Sequence, residues 1–111
     1  MFEKRENPRY NTLAHAFIPG MMDGENLLKD LSVTACCVEC TTVTDIKPGS
    51  AFQLEVIPEA GSGIKPFSLS VEAKLIRLAG YSTDIVFAIT ASPKGKHFQR
   101  YVDYLAWKQA H

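Results

Sequence analysis

No stretch of this chain approaches the roughly 20 consecutive apolar residues that a membrane-crossing helix requires. The opening Met1-Phe2-Glu3-Lys4-Arg5 also lacks the apolar core of a secretory signal. Both absences point to a cytoplasmic protein with no membrane insertion. Net charge is missing too, because 12 Lys and Arg are balanced by 12 Asp and Glu. A protein that tracks a long polyanion carries a basic stripe and usually an excess of positive charge, so extended DNA or RNA is excluded as the expected partner. Single strands would further ask for aromatics interleaved with basic residues along exposed strands, and such pairs are few. A small doubly charged ligand needs only two or three local cations, and a neutral chain can supply them.

Cysteine is scarce and odd in number, with three residues at 36, 37 and 40. An odd count in a cytoplasmic chain argues against a disulfide framework. On a strand rising about 3.3 Å per residue, Cys36 and Cys40 would stand about 13 Å apart on one face, with Cys37 on the other. Zinc–sulfur bonds of about 2.3 Å cannot gather three thiols so arranged. They read as small apolar strand residues, and neither metal nor cofactor is expected. His15, His97 and His111 are scattered, and no nucleophile-elbow pattern surrounds Ser32 or Asp30. Gly61-Ser62-Gly63 is followed by no phosphate-loop lysine and hydroxyl. Catalysis is not expected.

What is present is a chain of 111 residues, 46% of them hydrophobic, which suits one domain burying about two-thirds of its unfolded surface. Residues 1–9 are charged, aperiodic and contain Pro8, and read as a mobile arm ahead of a domain spanning 10–111. A strand is expected from Tyr10 to Ile18, then a hairpin turn at Asp23-Gly24. Strands follow over Leu27–Ser32 and Cys36–Thr42. Lys47-Pro48-Gly49-Ser50 predicts a turn with proline at the second position and glycine at the third. In Ala51–Ile57, the side chains of Phe52, Leu54 and Val56 share a face. In Phe67–Arg77, Phe67, Leu69, Val71, Ala73 and Leu75 point one way, the period of a half-buried antiparallel strand. Pro58–Pro66 is a flexible connection, and Ile85–Ala91 a more deeply buried strand. Ser92-Pro93 supplies an N-cap and a first helical residue. The stripe Phe98, Tyr101, Val102 and Leu105 predicts a helix to about residue 108, with Tyr104 and Trp107 off its apolar side. The fold expected is mainly β: a small six-stranded antiparallel barrel with a C-terminal helix from about residue 93.

Two short signatures lie in the first third. Arg5-Glu6-Asn7-Pro8-Arg9 reads R-x-x-x-R. Arginine's planar fork suits phosphates and the O6/N7 edge of guanine. Pro8 biases Asn7 towards extended backbone, so the two arginines sit on a loop and each is free to meet a different ligand group. Asp30-Leu31-Ser32-Val33-Thr34-Ala35 reads D-x-S-x-x-A. On a continuous strand Asp30 and Ser32 would share one face with Leu28, the two polar side chains about 6.6 Å apart. A carboxylate accepts from a guanine ring N–H and amino group, and a hydroxyl adds one more bond. The alternative for this pair is capping of local backbone groups.

The two signatures in this order, followed by β-patterned segments and a terminal helix, resemble the PilZ domain, a bacterial receptor module for cyclic di-GMP. The resemblance implies that Arg5 and Arg9 clasp guanine and phosphate groups, while Asp30 and Ser32 line the receiving surface. Ala35 stands where the family has glycine. If its φ is negative it adds only a methyl group, and if positive it costs on the order of 1 kcal/mol, weakening the binding. Lys4, at the place that influences one-nucleotide against stacked-pair binding in the family, implies a bound pair. The function implied is a non-enzymatic receptor whose arm orders over the nucleotide and signals to an unidentified partner protein, in processes such as motility, adhesion or virulence. The alternative is a degenerate adaptor that binds no nucleotide and acts through protein contacts alone.

Overall fold

In the computed structural model, residues 8–21, 26–41, 46–91 and 95–110 are described. Their elements are β1 (Tyr10–Asn11), β2 (His15–Phe17), β3 (Asn26–Leu31), β4 (Ala35–Cys40), β5 (Ala51–Ile57), a 3-10 turn at Ala60–Ser62, β6 (Phe67–Ala79), β7 (Ser82–Ala91) and α1 (His97–Ala110). All strand pairings are antiparallel. Six strands close a ring in the order β3-β2-β5-β6-β7-β4 and back to β3, and β1 adds a short extra strand on β3. Closure leaves the ring itself without an open edge.

The segment expected as one strand from Tyr10 to Ile18 is therefore two. The reason is Thr12, whose buried hydroxyl donates to the Leu28 carbonyl and accepts from the Ala14 amide. Such side-chain bonds offer the backbone an alternative to the ladder. The turn at Lys47–Ser50 forms as read: Ser50 N donates to Lys47 O at 3.1 Å, and Gly49 takes φ 94°. Its positive φ is what glycine alone adopts without strain. The Asp23-Gly24 turn lies outside the described residues, though β2 and β3 are antiparallel neighbours. The connection expected to be flexible is built instead on a 3-10 turn, with Ser62 N and Oγ both donating to the Glu59 carbonyl.

Period 2 in β6 buries Phe67, Leu69, Val71 and Ala73, but Leu75 is 47% exposed. A register shift between Ala73 and Leu75 inverts the alternation, so that Ile76 packs on the core in its place. Leu28, Leu31, Val38, Leu54, Val56, Ile85 and Phe87 complete the interior of the ring. Each such side chain contributes roughly 1.5–3 kcal/mol by leaving water.

The helix buries Phe98, Tyr101, Val102 and Leu105, the stripe expected from their spacing. It starts at His97 rather than near 93, because Gly95 takes φ 87°, a backbone that a right-handed helix cannot contain. Residues 92–94 lie outside the described set. Phe98 and Tyr101 meet Phe67 with ring centroids 5.8 and 6.0 Å apart, which seats the helix on the barrel. Tyr104 is half-buried and Trp107 is 58% exposed. Among the described residues no helix is long and apolar enough to cross a membrane.

Cys36 and Cys40 point into the core and Cys37 to the opposite side of β4, yet all three are buried and unbridged. Burial pushes each thiol above its ordinary value, Cys40 to about 11. They pack as small apolar groups.

Candidate functional site

The site grows from an irregularity in β3. Leu27 and Leu28 pair with Glu39 and Val38, but the next partner pair is Asp30 with Cys37, leaving Lys29 as an extra residue. A β-bulge of this kind bends the strand and re-aims side chains. Leu28 and Leu31 are both buried, while Lys29 and Asp30, adjacent in sequence, both stand on the outer side. The expectation that Leu28 shares a face with Asp30 is corrected by this bulge. Period 2 does not survive an inserted residue.

Ser32 departs from the expected strand face as well. β3 ends at Leu31, and Ser32 lies in the turn to β4 with 1% of its surface exposed. Its Oγ accepts from the amides of Thr34 at 3.2 Å and Ala35 at 3.1 Å. Its own amide donates to the Ala35 carbonyl at 2.8 Å. The hydroxyl thus satisfies two backbone donors and closes the β3–β4 hairpin, the local capping that a serine at a strand end offers. Ala35 opens β4 opposite Ala88 of β7. No described residue other than glycine has positive φ, so Ala35 carries no left-handed strain and differs from glycine by a methyl group.

Arg9 reaches this turn through β1. Tyr10 pairs with Leu31 and Asn11 with Asp30, so the residue before β1 lies beside the end of β3. Arg9 Nη1 stands 3.8 Å from Asp30 Oδ1. That is an ion pair and too long for a hydrogen bond. The Asp30 Oδ1 atom is buried, with no hydrogen-bond partner among the described residues. The two side chains are 36% and 25% exposed, and a pair so placed adds at most about 1 kcal/mol to stability. The Arg9 guanidinium thus stands at the surface over a carboxylate whose Oδ1 takes no hydrogen bond among the described residues. Arg5 and Lys4 lie outside the described residues.

Two residues absent from the sequence reading belong to the same face. Lys29 Nζ donates to Asp84 Oδ2 of β7 at 2.9 Å, crossing β4 to do so. The bond and charge of Asp84 raise the lysine's pKa, and so hold it charged. Asp84 is 9% exposed, and its Oδ1 is also buried with no hydrogen-bond partner among the described residues. The available signal for Asp84 was a carboxylate set directly before the apolar run that starts at Ile85. No local pattern marks Lys29, because its direction depends on the bulge. No group of His, Cys, Asp and Glu suited to a metal occurs among the described residues.

No family model matches the chain, and no curated protein sequence matches it. Among solved structures, the fold matches that of the Bacillus subtilis inhibitor of motility, MotI/DgrA, with a TM-score of 0.76 at 13% identity. The match covers 98% of this chain and 52% of that one. At that identity the likeness is one of fold, and this chain spans about half the length of the protein it matches.

Proposed function

We propose that this chain is a receptor domain for cyclic di-GMP, of the PilZ kind, that acts without catalysis. One observation carries the reading: the two signatures converge, with Arg9 3.8 Å from Asp30 on the outer wall of the barrel. The Asp30 oxygen that faces Arg9 lacks a hydrogen-bond donor among the described residues. A buried acceptor left unpaired costs about 1–3 kcal/mol, and a ligand donor that reaches it recovers that cost. Guanine offers such donors in its ring N–H and amino group, beside the O6/N7 edge that an arginine fork reads. Ser32, with its hydroxyl taken up inside the turn, holds Thr34 and Ala35 in place. Arg5 and Lys4 join Arg9 from the arm, Arg5 on guanine or phosphate and Lys4 beside the phosphates of a second, stacked nucleotide.

Ligand binding orders the arm over the barrel wall and changes the surface offered to a partner protein. The shared fold with a protein described as an inhibitor of motility supports a regulatory output of that type. Calorimetric titration with cyclic di-GMP tests the reading, with Arg9→Ala as its control. Saturable heat that the substitution abolishes is expected, at two nucleotides per chain. Absence of heat from folded wild-type protein would overturn the receptor function, and saturation at one nucleotide would overturn the role given to Lys4. Proteolysis adds a second check, since cleavage within residues 1–10 should be suppressed by ligand.

A further inference from the structure

Two β-bulges turn charged side chains onto one face of the barrel. The first, in β3, leaves both Lys29 and Asp30 outside while Leu28 and Leu31 remain buried. The second, in β6, lies between Ala73 and Leu75 and carries Leu75 and Arg77 outward while Ile76 packs on the core. Strict alternation from Ala73 would have aimed Arg77 into the barrel. The strand order brings these segments to one patch: Asp30 pairs with Cys37, Cys37 with Val86, and Val86 with Leu75. One row further along, Glu39 pairs with Asp84, and Asp84 with Arg77.

Charges in this patch are layered. The carboxylates lie low, with the side chain of Asp84 13% exposed and that of Asp30 25%. Lys29 at 41%, Arg9 at 36% and the exposed Arg77 stand above them. Glu39 is half-buried and accepts from Ser82 Oγ at 3.0 Å. Solvent, and any ligand, therefore meets cations first. The Cys37 thiol sits among these groups: burial raises its pKa, Asp30 and Asp84 add to the rise, and Lys29 and Arg77 oppose it. From β3 to β6 the patch spans three strand spacings, about 14 Å, a gap that long lysine and arginine side chains narrow from both ends.

We propose that Lys29 and Arg77 form a second anion-recognition element of the outer face, taking a phosphate of the nucleotide whose guanine meets Arg9 and Asp30. The inference rests on the receptor reading above. Asp84 holds Lys29 in place beforehand, so little side-chain freedom remains to be lost on binding. Arg77 supplies a fork suited to two phosphate oxygens, and Lys29 a point charge. The bulges thereby acquire a purpose beyond closing the barrel, since without them neither Asp30 nor Arg77 could share this face with Lys29.

The test is titration of cyclic di-GMP into wild type, Arg77→Gln, Arg77→Lys and Lys29→Gln at low and high ionic strength. Arg77 is exposed, and its variants should keep the wild-type unfolding midpoint. Arg77→Gln and Lys29→Gln are expected to weaken binding about tenfold each, equivalent to about 1.4 kcal/mol. They should also flatten the dependence on salt, because a screened charge contact has been removed. Arg77→Lys keeps the charge but loses the fork, so its affinity should fall between those of wild type and Arg77→Gln. Wild-type affinity and unchanged salt dependence in both glutamine variants would overturn the inference while leaving the receptor reading intact. A wild type that binds no cyclic di-GMP would instead overturn the receptor reading itself.

Discussion

Tyr101 donates its phenolic hydrogen to Glu59 Oε1 across 2.6 Å, fastening the helix to the loop that follows β5. Lys108, on the same helix, lies 3.6 Å from Glu59 Oε2. The Glu59 side chain is only 13% exposed, so this carboxylate depends on the helix for its partners. Helix and loop hold each other: the loop positions the acceptor, and the aromatic stripe of the helix positions the donor.

Tyr101→Phe keeps the ring against Phe67 but removes that donor. A charged acceptor left short of a partner should cost about 1–3 kcal/mol. Urea denaturation should show a lower midpoint with an unchanged slope. An unaltered midpoint would mean that the hydroxyl bond contributes nothing to docking of the helix.

Stability should fall on the alkaline side. Burial raises the thiol pKa of Cys36, Cys37 and Cys40 from 9.0. It also raises the Tyr101 phenol from 10.0, with Glu59 adding to the shift. As pH climbs, the unfolded chain releases these protons before the folded one does, and the free energy of unfolding drops. The contribution is complete below the unfolded thiol value of 9.0 and is lost from there upward, through about 11 for Cys40. Urea midpoints measured from neutral pH to about pH 11 should be level at first and then decline. A level line throughout would contradict the buried, protonated state of these groups.

Ser32→Ala removes the acceptor that serves the Thr34 and Ala35 amides. Loss of these bonds in a buried turn should lower stability by about 1–2 kcal/mol. It should also raise hydrogen-exchange rates at residues 34 and 35, because both amides lose their acceptor. A variant that changes ligand affinity but neither stability nor exchange would show Ser32 to be a direct contact rather than a brace.

Ala35→Gly would complete the likeness to the PilZ motif, yet it should not relieve strain, since Ala35 lies outside the positive-φ region. Glycine at the head of a strand loses more backbone freedom on folding, so a loss of about 0.5–1 kcal/mol is expected. A thermal midpoint above that of wild type would refute the assignment of ordinary strand backbone to this position.

Much of the fold is legible in the sequence. The stripe Phe98, Tyr101, Val102, Leu105 and the alternation Phe67, Leu69, Val71, Ala73 each encode burial by local period, because backbone geometry alone fixes which side chains share a face. The Lys47–Ser50 turn needed only proline's fixed φ and glycine's freedom at positive φ. The short signatures singled out Arg9 and Asp30 as expected ligand contacts, and the structure adds only that the two side chains lie 3.8 Å apart.

Tertiary structure decided the rest. Where Leu75, Lys29, Asp30 and Arg77 point depends on two bulges, and a bulge is set by how neighbouring strands pair as the barrel closes. Ser32, open in the sequence to a ligand-facing hydroxyl or a cap on local backbone groups, is the cap, because the turn consumes its bonding capacity. The Glu59–Tyr101 tie joins residues 42 apart, and neither carries a local mark of the other. Local patterns settle which face of an element is apolar. Register and closure, which are properties of the whole ring, settle which polar groups share the remaining face.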